Sequence, residues 1–122
     1  MRRDRRCRET VGDLMLRVRS HVRHRGSSRN CPGFVNGNDL YAYCTASDNS
    51  KRGICLGYVE GMADSIGLMQ TASAAAVFCI PPVLASQARD VVVKYLQDNP
   101  AHRHEAGATL VMEALHDAWP CR

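Results

Sequence analysis

Cysteines at wide and irregular intervals are the sequence feature that most constrains the fold of this chain. Residues 31–122 contain five of the six cysteines, which are Cys31, Cys44, Cys55, Cys79 and Cys121. No two of them have the Cys-x-x-Cys spacing of a zinc ribbon or a redox motif. A domain of this size buries a modest core and is often cross-linked, so the pattern predicts disulfides and an oxidising compartment.

Charge divides the chain into two segments. Residues 1–30 contain ten arginines and three acidic residues, whereas residues 31–122 contain six basic and nine acidic residues. The first segment lacks the unbroken apolar stretch of about 7–15 residues that a secretory signal needs, and no stretch approaches the ~20 apolar residues of a membrane span. We therefore expect residues 1–31 to be an arginine-rich extension that is disordered or results from a start codon assigned too early. Residues 32–122 are then the folded domain.

Nucleic-acid binding is the alternative interpretation of the arginine-rich segment, because arginines contact phosphates. No reading motif or interleaved aromatic residue accompanies these arginines, so we expect no nucleic-acid partner.

Helical spacing of apolar residues predicts four helices in the domain. A turn over residues 36–39, in which Asn38 or Asp39 can cap, precedes a first helix that ends near Cys44. A polar linker over residues 45–50 precedes the second helix, whose apolar residues follow spacings of four, three and four. The third helix is expected over about residues 85–98 and the fourth over about 105–118. With no strand pattern, the sequence predicts an all-α, compact, bundle-like four-helix domain.

The predicted buried faces follow from these periods. In the second helix they comprise Cys55, Tyr58, Val59, Met62, Ile66 and Met69. In the third they comprise Leu84, Ala88, Val91, Val92, Tyr95 and Leu96. In the fourth they comprise Leu110, Val111, Ala114, Leu115 and Trp119. An exposed i, i+4 pair of Asp90 and Lys94 is expected to support the third helix.

Glycines recur every four residues along the second helix, at Gly53, Gly57 and Gly61. Each interior glycine costs a helix about 1 kcal/mol relative to alanine. A stripe of them predicts that another backbone packs closely against that face.

Four cysteines lie at the boundaries of the predicted elements and are therefore candidates for cross-linking. Their positions favour Cys44–Cys55, closing the first helical hairpin, and Cys79–Cys121, tying the middle of the domain to its end. Four cysteines allow three pairings, so this pairing is an inference from position. The same reasoning leaves the state of Cys7 and Cys31 open.

Metal binding and catalysis are the sharpest alternatives to a binding role. The set Cys7, His21, His24 and Cys31 matches a two-cysteine, two-histidine zinc site only loosely, because fingers pair their cysteines closely. His102 and His104 are two residues apart and would face different directions on a helix. No nucleophile has a base or a motif beside it, so we expect no enzyme activity, no metal and no cofactor.

Six motifs occur in order along the domain. The first two are Phe34–Leu40 followed by Cys44, and Cys55-Leu56-Gly57-Tyr58-Val59-x-Gly61. The others are Cys79-Ile80-Pro81-Pro82, Arg89–Leu96, Asn99-Pro100, and Ala114-Leu115 with Pro120-Cys121. Together they resemble the Rap/Tai family, the immunity proteins of bacterial type VI secretion systems, and the similarity covers residues 34–121.

The resemblance implies an all-helical, disulfide-bonded protein of the periplasm that is often dimeric, so we expect a homodimer. Relatives bind a secreted cell-wall amidase or peptidase effector and occlude its active site. We expect this chain to do the same for a cognate effector and to protect the producing cell. The alternative is a small periplasmic helical chaperone of the acid-stress type.

Two polar segments are the candidate contact regions for such a partner. Their residues are Asp48, Lys51, Arg52, Asp98, His102, His104 and Glu105. Tyr41 and Tyr43 are interpreted either as surface anchors for a partner or as part of the core.

Overall fold

The computed structural model describes residues 33–73 and 79–121. The chain divides into two units, Met1–Cys31 and Pro32–Arg122, and every described residue belongs to the second. The predictions for residues 1–31, including Cys7 and the two histidines of the zinc alternative, lie outside the described residues. The helices are α1 (Gly37–Thr45), α2 (Asn49–Ser73), α3 (Ala85–Asp98), a 3-10 turn (Pro100–His102) and α4 (Gly107–Ala118).

The all-α prediction is confirmed. The described residues form four α-helices and no strand, and one isolated antiparallel bridge joins Asn36 to Ala106. The predicted bounds of α3 agree with the structure to the residue. No helix in the described ranges is long and apolar enough to cross a membrane, although α2 contains 25 residues.

A capping box starts α1, but the capping residue is Asn36, whereas the sequence favoured Asn38 or Asp39. The backbone N–H of Asp39 donates to Oδ1 of Asn36 over 2.9 Å, and the N–H of Asn36 donates to Oδ2 of Asp39 over 3.5 Å. Such reciprocal bonds pair N–H groups that a helix start otherwise leaves without a partner.

Helix α2 begins at Asn49, inside the predicted linker of residues 45–50, because Asp48 caps the helix. The N–H of Lys51 donates to Oδ2 of Asp48 over 3.0 Å, and the N–H of Arg52 donates to the Asp48 carbonyl over 3.1 Å. The linker therefore shrinks to residues 46–48. At the other end, residues 71–73 continue α2, and residues 74–78 lie outside the described ranges.

The core draws buried side chains from all four helices. Its members are Leu40, Cys44, Cys55, Val59, Ile66, Ala88, Val92, Leu96, Leu110, Val111, Ala114 and Leu115. Tyr41, Tyr43, Tyr58 and Trp119 are partly buried against it, which favours the core interpretation of the tyrosine pair. The prediction of burial is wrong for two residues: Met69 is exposed near the end of α2, and Leu84 is exposed just before α3.

The prediction of an ion pair between Asp90 and Lys94 is also wrong. Arg89 reaches Asp90 with both Nε (3.0 Å) and Nη2 (2.6 Å), and the two-pronged contact occupies that carboxylate. Lys94 instead donates to Asp98 over 2.8 Å, one turn later. An exposed i, i+4 pair such as Lys94–Asp98 contributes about 0.3–0.5 kcal/mol.

Both predicted disulfides are present, Cys44–Cys55 and Cys79–Cys121, with Cα–Cα distances of 5.0 and 4.9 Å. The first joins the end of α1 to the first turns of α2. The second joins the segment before α3 to the residues after α4. In the loop-entropy model they stabilise the fold by roughly 3 and 4 kcal/mol, comparable to the net stability of a small domain.

The glycine face of α2 is open. Apart from the local backbone of α2 itself, no atom in the described part of the chain lies within 4 Å of the position that a Cβ would take on Gly53, Gly57, Gly61 or Gly67. The prediction that another backbone packs against this face is therefore wrong for the described residues. Glycine spacing alone carries no information about whether a neighbour is present.

Substituting Gly57→Ala should stabilise the monomeric domain by about 1 kcal/mol, because alanine removes the helix-interior penalty and meets no neighbour. Urea unfolding at a concentration where the protein is monomeric measures the change. A destabilised variant would contradict an open face. If the variant is more stable as a monomer but no longer self-associates, the result would indicate that a second copy of the chain binds to this face.

Candidate functional site: the loop between α3 and α4

The α3–α4 loop (residues 99–106) is folded by bonds within itself. Asn99 ends α3, and both its backbone N–H (3.0 Å) and its side-chain Nδ2 (2.9 Å) donate to the Tyr95 carbonyl. The His102 N–H donates to the Asn99 carbonyl over 3.1 Å, and the Glu105 N–H donates to the His102 carbonyl over 2.9 Å. Consecutive turns of this kind make the loop compact.

Long-range backbone bonds then hold the loop against the start of α1. The N–H of Gly37 donates to the Glu105 carbonyl (3.0 Å), and that of Asn38 donates to the Arg103 carbonyl (2.8 Å). The N–H of Gly107 donates to the Val35 carbonyl over 2.8 Å. The first N–H groups of a helix have no partner within it, so the loop satisfies two that α1 would otherwise leave to water.

The side chain of Arg103 adds two contacts to the backbone bonds that brace the loop against α1. Its Nε donates to the Leu96 carbonyl over 2.6 Å, and its Cζ lies 3.9 Å from the centroid of the Tyr41 ring. A guanidinium over an aromatic ring gains about 0.5–2 kcal/mol, depending on its exposure. Arg103 therefore links the loop to both α1 and α3.

Gly37 is required where the loop crosses α1. A Cβ at this position would lie 2.7 Å from the Arg103 carbonyl oxygen and 2.8 Å from the Arg103 Cα, and it would also overlap Cδ1 of Leu110. The close atoms of Arg103 are backbone and cannot swing aside. Gly107 is tight as well, since its Cβ would lie 3.0 Å from the Val35 carbonyl oxygen.

The predicted contact residues of this segment have different roles. The side chain of His102 is 59% exposed, whereas that of Glu105 is only 17% exposed, and the two join through Nδ1 and Oε1 at 2.7 Å. His104 is exposed, and its Nδ1 lies 2.9 Å from the Ala101 carbonyl oxygen. Asp98 is exposed and pairs with Lys94. His102, His104 and Asp98 are thus accessible to a partner, while Glu105 serves mainly to hold the loop.

The second predicted contact segment, Asp48 with Lys51 and Arg52, is exposed but lies elsewhere. It follows the last turn of α1, whereas the loop contacts the first turn. A helix of nine residues separates those ends by about 12 Å. Asp48 is also engaged as the cap of α2, so the structure does not bring the two segments into one site.

An acidic cluster around Tyr95 was missed in the sequence. The hydroxyl of Tyr95 donates to Oε2 of Glu113 over 2.7 Å. Burial, the bond to Glu113, and then the charges of Glu113, Asp117 and Glu105 raise the pKa of Tyr95. The i, i+4 spacing of Glu113 and Asp117 on α4 was the available signal. No group of three or more potential metal ligands occurs in the described residues.

Together the fold and the braced loop define a small helical protein, cross-linked by two disulfides, that presents a preformed polar loop. The family model of Rap1a immunity proteins matches residues 36–121, and the chain belongs to that family. The match begins at the capping residue of α1 and ends at the last disulfide cysteine. Comparison with curated proteins finds no match. Membership in an immunity family implies that the protein binds a cognate effector, and such families are generally not enzymes.

Proposed function

We propose that this domain protects the producing cell by binding a secreted peptidoglycan amidase or peptidase and occluding its active site. The observation that carries the proposal is the family match across residues 36–121. The effector is a substrate of a type VI secretion system, and protection takes place in the periplasm. Two disulfides in so small a domain support an oxidising compartment.

The α3–α4 loop is the surface proposed to enter the effector. Its exposed residues His102 and His104 sit on a backbone already fixed by bonds to α1 and α3. Ordering a flexible loop on binding costs about 0.5–1.5 kcal/mol for each immobilised side chain, and a preformed loop avoids much of that cost. The Asp48–Arg52 segment is a second, separate contact, reached only by a partner that spans α1.

Charge supports a basic partner. The domain has more acidic than basic residues, and Glu113 and Asp117 add negative charge on α4 around Tyr95. Complementary charge raises the association rate more than it raises affinity. The encounter should therefore slow as the salt concentration rises.

Homodimerisation is the second part of the proposal. Ile54 (50% exposed) and Leu68 (72% exposed) flank the open glycines of α2, and their spacing of fourteen residues places both on one side of the helix. Apolar side chains around small residues suit close contact between two helices. The dimer would thereby cover a face that the described residues leave exposed.

The binding test uses the hydrolase encoded beside this gene. We expect a complex with a Kd below about 1 μM and loss of peptidoglycan cleavage. The substitution His104→Asp should weaken binding at least about tenfold, since the exposed side chain loses its contact with the effector, while the melting temperature stays within a few degrees. The matched control is His116→Asp, the same change at an exposed histidine on α4.

Two outcomes would contradict the proposal. One is that no neighbouring or co-purifying hydrolase binds more tightly than about micromolar. The other is that the pure protein suppresses aggregation of unrelated acid-unfolded proteins, which would favour the chaperone alternative. In cells, residues 32–122 should protect when preceded by an export signal and should fail to protect when retained in the cytoplasm.

A further inference from the structure

The two disulfides differ in their access to solvent. Cys44 is 8% exposed and Cys55 is fully buried, and both belong to the core. Cys79 is exposed and Cys121 is partly exposed, at the periphery of the domain. Thiol–disulfide exchange requires a thiolate to reach a disulfide sulfur, so access governs which bond reacts.

We propose that Cys79–Cys121 is a thiol–disulfide exchange site for a dithiol reductant, whereas Cys44–Cys55 is sealed from exchange in the folded protein. One thiolate of the reductant attacks Sγ of Cys79, the more exposed of the two residues, and the bond electrons leave with Sγ of Cys121, which takes up a proton. The second thiol of the reductant then resolves the mixed disulfide. The protein gains two thiols, and the reductant becomes a disulfide.

The position of this bond limits what its reduction changes. It joins the residues before α3 to those after α4, while the α3–α4 loop lies at the other ends of both helices. Fourteen residues of α3 separate the two regions by roughly 20 Å. The bonds that brace the loop involve neither Cys79 nor Cys121. Reduction therefore loosens one end of the domain and leaves the loop in place.

Other contacts hold the two thiols near each other after reduction. The N–H of Cys79 donates to the Trp119 carbonyl over 2.8 Å. Ile80 and Trp119, next to the two cysteine segments, are partly buried against the core. The bond can re-form by exchange with an oxidising disulfide, which takes up the two electrons and leaves as two thiols, so the site acts as a reversible control of stability.

The test follows the order of reduction in the full chain carrying Cys7→Ser and Cys31→Ser. The folded protein is exposed to increasing dithiothreitol, alkylated and mapped by mass spectrometry. We expect a species with Cys79 and Cys121 alkylated and Cys44–Cys55 intact. It should unfold cooperatively, with a melting temperature lower by more than about 10 °C. The intact bond closes a long loop, and its reduction gives the unfolded chain back the entropy that this loop closure removes. Glutathione in place of dithiothreitol should leave its adduct on Cys79.

Two results would overturn the proposal. One is reduction of Cys44–Cys55 first, and the other is loss of both bonds in one step at the rate of global unfolding. The variant Cys79→Ser with Cys121→Ser should reproduce the melting temperature of the partly reduced protein. If that variant fails to fold, the order of reduction in the four-cysteine protein still decides. The outcome is independent of the proposed function, because no effector takes part.

Discussion

Replacing Leu110 by alanine should lower the free energy of unfolding by about 2–5 kcal/mol. Leu110 is fully buried on α4, and its Cδ1 approaches Gly37 so closely that a methyl group there would overlap it. The substitution leaves a cavity where α4 meets the start of α1, and both the lost transfer energy and the cavity contribute. Urea unfolding followed by circular dichroism measures the change.

The matched control is Leu68→Ala, the same chemical change at a side chain that is 72% exposed on α2. It should alter the free energy of unfolding by no more than about 0.5 kcal/mol. Equal effects of the two substitutions would contradict the assignment of Leu110 to the core. A large effect of Leu68→Ala that appears only at high protein concentration would indicate that a second copy covers this side chain.

Gly37→Ala should cost about 1–3 kcal/mol of stability and weaken effector binding at least about tenfold. The added methyl group overlaps the backbone of Arg103, so the α3–α4 loop must move away from α1. That movement breaks the bonds from Gly37 and Asn38 to the loop carbonyls. Unfolding in urea and titration with the effector measure the two effects separately.

Gly57→Ala is the control for this prediction, because it adds the same methyl group where no described atom outside the local backbone of α2 lies within 4 Å. The two substitutions should therefore change stability in opposite directions. A Gly37→Ala protein that is destabilised but binds the effector with unchanged affinity would show that recognition does not depend on the position of the loop.

The positions of the helices could be predicted because one face of each meets a shared core. That requirement imposes the spacing of Val59 and Ile66 in α2 and of Val92 and Leu96 in α3, which is visible without a structure. The exposed Met69 and Leu84 lie near helix ends, where the same period continues beyond the core. Periodicity identifies a face but does not show how far along the helix that face remains covered.

The candidate loop was predicted only as a polar segment, since the bonds that shape it are mostly between backbone atoms. Backbone donors and acceptors occur in nearly every residue, so the bonds between them cannot be recognised from the residue types in the sequence. Gly37 and Gly107 are the exceptions, because close approach excludes a side chain there. Asp48 illustrates another difficulty: its exposed carboxylate caps α2 through the Lys51 N–H, and the sequence predicted it only as a contact residue for a partner.

Side chains in the second half of the α3–α4 loop alternate between exposed and partly covered. Arg103 and Glu105 are partly covered and hold the loop, whereas His102 and His104, at the intervening positions, are exposed. His102 also contacts Glu105, which leaves His104 as the exposed side chain with the smallest part in holding the loop. Substitutions at 104 can change which effector is bound while the bonds of Arg103 and Glu105 stay intact. Such a division lets an immunity protein follow changes in its effector, one exposed side chain at a time, at little cost in stability.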